Sequence, residues 1–279
     1  MWLDPCPPLE LIPVGRVHSP VTSGKDMPLQ GVRGSIEIFS EFSPALDGVE
    51  SNSHLILLCW LHQGDRNLLR ARARKVAEDL PLKGVFALRS PSRPNPISFS
   101  VVQLLRRSGE RFIDVGFLDL IDGTPVLDVK PYQPGWDSVF SARTHDRSEK
   151  IRKMGQVRYR QSLIREAVGY HGEWCSGAAT AVRLAEKATL VFGDLRKTHI
   201  RFHPGCDPCI ADALIGITGA RPGNGRLLFD LDCPRGSAGS WVIIGNPVER
   251  LEFSLFCLAA GPDEVLEEEE EAIFSVQHR

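Results

Sequence analysis

Apolar and polar residues alternate in short stretches along the first half of the chain. Ile36 and Ile38 alternate with Ser35 and Glu37; Ile97, Phe99 and Val101 alternate with Ser98 and Ser100; Ile113, Val115 and Phe117 alternate again after a Ser108-Gly109 turn. Leu55 to Leu61 is apolar without alternation, which predicts a strand buried on both faces. Short strands separated by turn residues over 11–140 predict a closed or nearly closed barrel. One helical insertion is predicted, Asp65 to Leu80, with Asp65 as its cap and Pro81 after its end.

The pattern then changes. Residues 134–160 are polar and turn-rich, and a linker is predicted near 145–158. Trp174, Ala178, Ala181, Ala185 and Ala188 recur at helical spacing, predicting a helix from about 174 to 190. A short helix is predicted at 208–217, with strands at 226–231, 240–244 and 250–258. The expected architecture is multidomain: an all-β barrel with a helical insertion (1–145), an α+β domain (160–260) and an acidic tail (261–279). No internal repeat links the two halves.

With 42% hydrophobic and 24% charged residues in 279, collagen, coiled coil and wholesale disorder are excluded. The longest apolar run, Leu55–Leu61, is far short of the ~20 residues of a membrane helix. The first residues lack the basic-then-apolar order of a signal peptide, so a soluble, cytoplasmic protein with no membrane partner is expected. Seven cysteines, an odd number, do not read as a disulfide framework. The net charge is −2, yet Asp263, Glu264 and Glu267 to Glu271 concentrate acid in one stretch, read as a solvated tail. The remainder is mildly basic, which permits an RNA partner. The basic predicted helix at 65–80 suits RNA phosphates or simply a solvated face.

Arg89-Ser90-Pro91-Ser92-Arg93-Pro94-Asn95-Pro96-Ile97 is the densest chemical signal. Its prolines fix φ and remove N–H donors, and Ser90, Arg93 and Asn95 are each pushed toward extended backbone by the proline that follows. The result is a stiff loop presenting two guanidinium groups and an amide. Arginine suits a carboxylate or phosphate through its bidentate fork.

The run GVFALRSPSRPNPI, with DLIDGTPVLDVKPY at 119–132, resembles the TsaA-like domain of the TrmO family over roughly residues 11–145. That resemblance implies a small β-barrel, a homodimer, and an S-adenosyl-L-methionine-dependent tRNA methyltransferase. The family acts on N6 of threonylcarbamoyladenosine at position 37 of ANN-decoding tRNA, giving m6t6A. PVGRVHSP at 13–20 matches the family's opening strand. Pro28, Leu29 and Gln30 sit where the family has a cofactor-touching Pro-Arg-Gln-like element, with Leu29 in place of the arginine. His62 and Gln63 match a cofactor-contacting pair. Arg89, Phe99, Asp119, Leu120, Ile121 and Asp122 fall on the remaining cofactor positions, and Ser98 replaces the glycine that usually follows the Pro-Ile pair.

The chemistry agrees. The cofactor needs a partner for its carboxylate (Arg89 or Arg93, with Asn95 beside them), an acceptor for ribose hydroxyls or ammonium (Asp119 or Asp122), and an apolar shelf for adenine (Phe99, Leu120, Ile121). Neutralising a sulfonium gains chiefly from alignment of nucleophile and methyl. A base for the N6 proton is found by chemistry among His62, Asp122 and Tyr132.

His171-Gly172-Glu173-Trp174-Cys175-Ser176-Gly177 resembles the HGxxCxG signature of the FmdE-like family, and Cys209 to Leu214 with Thr218-Gly219 is similar to its second block. That family's His and Cys residues are associated with a metal, often zinc. Glu173 replaces a histidine and Ala220 a cysteine. Cys206 and Cys209 form one C-x-x-C, a half-site; His171 and Cys175 at i, i+4 complete a four-ligand candidate. Gly223-x-Gly225 ends in Leu228, which speaks against a dinucleotide site. Two other functions stand beside the methyltransferase: a non-catalytic binding protein that senses S-adenosyl-L-methionine or a metal, and an oxidoreductase-associated module.

Overall fold

The computed structural model describes residues 10–203, 206–229, 240–256 and 260–279. Contacts divide the chain into two compact units, Met1–Ser138 and Val139–Arg279.

In the first unit the chain runs β1 (Gly15–His18), β2 (Val32–Ile38), β3 (His54–Trp60), β4 (Arg70–Ala71), β5 (Lys83–Gly84), β6 (Ile97–Ser108), β7 (Phe112–Leu118), β8 (Pro125–Pro131) and the one-turn α1 (Pro134–Asp137). Six strands close an antiparallel barrel in the order β1-β2-β7-β6-β3-β8, and β4 pairs with β5 outside it. The predicted all-β barrel is what forms. Its interior is filled at period two: Leu55, Leu57 and Cys59 from β3 meet Val17, Ile36, Val102, Ile113, Val115, Leu118 and Val126. Ile56 is buried on the other face of β3. In β6 the inward set is the reverse of what hydrophobicity suggests. Ser100 and Val102 turn inward, while Ile97 and Phe99 stand 38% and 47% exposed.

Each barrel strand is antiparallel to both neighbours, so the connections sort into two sets. The registers Trp60↔Ile97, Val32↔Leu118 and Arg16↔Pro125 place loops 19–31, 61–96 and 119–124 at one mouth. The turns entering β3 and joining β6 to β7 lie at the other.

The helix predicted over 65–80 does not form. Asp65 Oδ1 accepts from the Asn67 N–H (2.9 Å), a local turn that competes with helix. Arg70 and Ala71 are drawn into pairing with Gly84 and Lys83. One turn survives at Ala73–Ala77, burying Ala77 and Leu80. Tertiary pairing overrides a favourable helical composition.

The second unit opens with α2 (Arg147–Lys153) and α3 (Gln156–His171), so the predicted linker at 145–158 is folded. Arg147 anchors it, pairing with Glu166 in a bidentate manner and with Asp194 at 3.3 Å. Next come α4 (Ser176–Phe192), β9 (His199–Phe202), α5 (Pro208–Thr218), β10 (Leu227–Phe229), β11 (Ser240–Gly245), β12 (Arg250–Leu255), α6 (Pro262–Glu267), α7 (Glu270–Ile273) and β13 (Phe274–His278). Helices α3, α4 and α5 pack on one another, and the sheet runs β10-β9-β11-β12-β13. The predicted helices at 174–190 and 208–217 correspond to α4 and α5. Residues 230–231 and 257–258 of two predicted strands lie outside the described residues.

The expected acidic tail is part of this fold. Its glutamates are largely exposed, but Val265, Ile273 and Phe274 are buried, and β13 pairs along β12. Arg183 of α4 donates to the carbonyls of Val265, Leu266 and Glu268, closing the end of α6. No helix among the described residues is long and apolar enough to cross a membrane.

Candidate functional site

Three loops build the loop-bearing barrel mouth, and backbone contacts fix each against the next. Beyond β3, the Leu61 N–H donates to the Pro96 carbonyl (2.7 Å), and the Asp65 N–H to Ser92 Oγ (3.1 Å). Arg66 Nε donates to the Pro94 carbonyl (3.0 Å) while its guanidinium lies 5.4 Å over the Trp60 ring. Gly64 is demanded by closeness, since a Cβ there would sit 2.4 Å from the Pro91 oxygen. His62 and Gln63 are thereby held, exposed, against the proline-rich loop.

Within that loop the two arginines differ. Arg93 donates to the carbonyls of Ser90 (2.9 Å), Val85 (2.9 Å) and Leu88, clasping the loop onto itself. Arg89 is exposed and donates through Nη2 to the carbonyl of Phe99, ten residues on. Asn95 is exposed, and its carbonyl accepts from the Ile97 N–H (2.8 Å).

The second motif reaches the same mouth. Phe117 adopts φ 57°, a left-handed turn that leads the chain out of β7 into Asp119. Gly31 (φ 84°) packs on it: a Cβ would fall 2.6 Å from the Phe117 carbonyl carbon. Pro28, Leu29 and Gln30 therefore sit beside the end of β7. Burial pushes the Cys59 thiol up to about 12, and the nearby Asp119 carboxylate adds to that shift, so Asp119 lies by the end of β3. Asp122 ties loop 119–124 to loop 19–31: its Oδ1 accepts from the Ser19 N–H (3.0 Å) and its N–H donates to the Val21 carbonyl (2.8 Å).

Pro28 to Gln30, His62, Gln63, Arg89, Arg93, Asn95, Phe99 and Asp119 to Asp122 thus share one mouth. Leu120 belongs to the barrel core and presents no side chain for a shelf; Ile121 is half-buried. Tyr132 stands apart. Its N–H donates to the His54 carbonyl (3.1 Å), at the start of β3, so the strand's length of about 20 Å separates it from His62 within the unit. A groove lined by Glu50, Asn52, Leu104, Arg106 and Arg107 also lies at that far end. The loop-bearing mouth offers a guanidinium, exposed carboxylates, an imidazole and an aromatic face together, a set suited to a zwitterionic ligand with an aromatic base.

The second unit gathers a different set. The Nε2 of His171, at the end of α3, is 3.3 Å from Cys175 Sγ at the N-cap of α4. Cys209, in the first turn of α5, completes a group whose ligand atoms lie within 4.8 Å of one another. Gly177 allows the approach, because a Cβ there would sit 2.5 Å from Cys209 Cβ. Burial, with Cys175 and Asp207 beside it, pushes the Cys209 thiol up to about 12. Two thiols and an imidazole so spaced fit zinc with a fourth position open. Cys206, expected as a ligand, does not join them; its Sγ turns to the Asp207 carbonyl (3.7 Å), preceding the helix that carries Cys209. Asp212 was not singled out by the sequence. Its Oδ2 lies 3.5 Å from His171 Nδ1, close enough for charge pairing but without a hydrogen bond, that buried nitrogen having no hydrogen-bond partner among the described residues. Its position three residues after Cys209, on one face of α5, is the signal that could have found it.

A family model described as the tRNA-methyltransferase O N-terminal domain matches residues 16–138. A second, FmdE, molybdenum formylmethanofuran dehydrogenase operon, matches residues 170–231. A probable S-adenosyl-L-methionine-binding protein of Archaeoglobus fulgidus is 35% identical over 235 residues, 79% of this chain and 61% of the relative, so this chain spans under two thirds of that protein. A shorter protein so described, from Methanothermobacter thermautotrophicus, is 42% identical over 135 residues, 47% of this chain and 95% of its own length. A tRNA (adenine(37)-N6)-methyltransferase of mouse is 35% identical over 120 residues, 43% of this chain and 28% of the relative. These matches and the closed barrel place the chain in the TrmO family, with an FmdE-like C-terminal region.

Proposed function

We propose that the protein is an S-adenosyl-L-methionine-dependent tRNA methyltransferase that acts on N6 of threonylcarbamoyladenosine at position 37. The observation that carries this reading is the meeting of all three motif-bearing loops at one barrel mouth. The cofactor supplies an electrophilic methyl on a sulfonium. Arg89 pairs with its carboxylate, Asp119 accepts from its ribose hydroxyls, and Phe99 offers a face to adenine. Arg93 keeps the loop rigid, so Arg89 is positioned before binding. The residues that take up the N6 proton are His62 or Asp122, both at this mouth. Their chief service is alignment.

The chain acts as a homodimer in the cytoplasm. His171, Cys175 and Cys209 hold zinc, and Asp212 lends negative charge 3.5 Å from His171 Nδ1. Elemental analysis after anaerobic purification should find about one zinc per chain; a metal-free protein removes this part.

The test is incubation with methyl-labelled cofactor and tRNA bearing threonylcarbamoyladenosine, followed by nucleoside mass spectrometry. Label at position 37 supports the proposal. Saturable cofactor binding with no transfer to any tRNA replaces it with a binding protein, a reading favoured by Leu29 and by the relatives named for binding alone.

A further inference from the structure

The second unit concentrates arginines around the C-terminus of α5. Arg196 sits on the turn Leu195–Lys197, and Arg221 and Arg226 flank the turn Pro222–Asn224. A Cβ on Gly219 would lie 3.2 Å from Arg196 Nη1 and 3.7 Å from Arg226 Nη2, so two guanidinium groups press on one residue.

Their roles separate by partner. Arg226 donates to the carbonyls of Thr198 (3.0 Å), Thr218 (3.1 Å) and Gly219 (2.7 Å), which caps the negative end of α5. Arg196 and Arg221 are different. The Nε of each is buried and has no hydrogen-bond partner among the described residues. Arg221 is held over the Phe140 ring at 5.5 Å. Asn224 fixes the turn, accepting at Oδ1 from the N–H groups of Arg221 (2.9 Å) and Arg226 (3.2 Å) and donating to the Gly219 carbonyl (2.9 Å).

The acids close by are already engaged. Arg147 takes both oxygens of Glu166 and reaches Asp194. Asp194 also accepts from Ser148 Oγ (2.7 Å) and from the Arg196 N–H (3.1 Å). Burial holds the Arg196 guanidinium below its usual range, and burial followed by repulsion from Arg196, Arg221 and Arg143 does the same for Arg226. Folded proteins rarely leave buried donors unsatisfied, and buried like charges are costly unless an opposite charge joins them.

We propose that Arg196, carried by the turn Leu195–Lys197, and Arg221, preset by the Pro222–Asn224 turn, bind an oxyanion: the phosphoryl or carboxylate group of a small ligand. The planar fork suits either group, and the inference is independent of the methyltransferase reading. The test uses the full chain, calorimetry and thermal unfolding, with sodium phosphate and sodium acetate as separate probes against sodium chloride at matched ionic strength. Saturable binding and a raised Tm with one oxyanion are expected, phosphate marking a phosphoryl ligand and acetate a carboxylate. The double variant Arg196→Gln, Arg221→Gln should bind at least tenfold more weakly, with an unliganded Tm no lower than wild type. If that variant fails to fold, Arg221→Gln alone, which leaves the Arg226 cap intact, must weaken binding in the same sense. Neither oxyanion exceeding chloride, or a variant that binds as wild type does, overturns the proposal.

Discussion

Arg89 and Arg93 lie four residues apart in one stiff loop, yet truncating each should have a different consequence. Arg89 is exposed and spends one nitrogen on Phe99, so Arg89→Ala should lower cofactor affinity by on the order of 2 kcal/mol in calorimetry and leave Tm almost unchanged. Arg93→Ala removes the donor to three carbonyls and should cost about 1–3 kcal/mol of stability in denaturant titration. The loop's stiffness and its cargo of guanidinium groups were legible in the sequence. The division of labour was not, because it depends on which carbonyls the folded loop turns inward. Cys59 carries a pH dependence of known sign. Its thiol ionises near 9.0 ordinarily and near 12 in the barrel, so the unfolded chain gives up its proton first. Stability is fully present below pH 9 and falls as pH rises toward 12. Urea unfolding at pH 8 and 10.5 should show the decline, and Cys59→Ala should flatten it.

Elements follow the sequence where burial and periodicity agree. The alanine stripe predicted α4 because those small residues fill a packed helix interface, and the alternating runs predicted barrel strands. They diverge where a tertiary partner intervenes. The stretch 65–80 reads as a helix but is held by the proline loop and by pairing with Lys83 and Gly84. The glutamate run reads as a tail because its few apolar residues are diluted by charge, yet Phe274 stacks edge-on against Phe253 at 5.2 Å. Deleting residues 261–279 should therefore uncover β12 as a sheet edge and lower the Tm of the second unit, with aggregation detectable by light scattering. An unchanged Tm would show that the segment is dispensable. Gly177→Ala tests the α4–α5 approach: crowding Cys209 Cβ at 2.5 Å should abolish or sharply weaken zinc uptake.

On the proposed function, the two units carry separate chemistries, cofactor binding in the first and zinc in the second. Zinc uptake should be linked to protons: with its thiol pushed up to about 12, metal-free Cys209 keeps its proton at neutral pH and must release it to bind. Affinity should fall about tenfold per pH unit lowered for each proton released, and a weakly buffered solution should acidify on zinc addition. Cofactor binding by the first unit should survive a chelator.

Closure of the barrel has an evolutionary consequence. Because the hydrogen-bonded ring closes through the strands alone, and loops 19–31, 61–96 and 119–124 add to its interior chiefly through Leu120, mutations at the exposed positions of these loops can be screened by ligand specificity with little filtering by foldability. Grafting these segments together into a sister barrel is accordingly the unit of exchange by which substrate preference should be inherited, whereas any single one, deprived of the contacts that seat it, should transfer nothing.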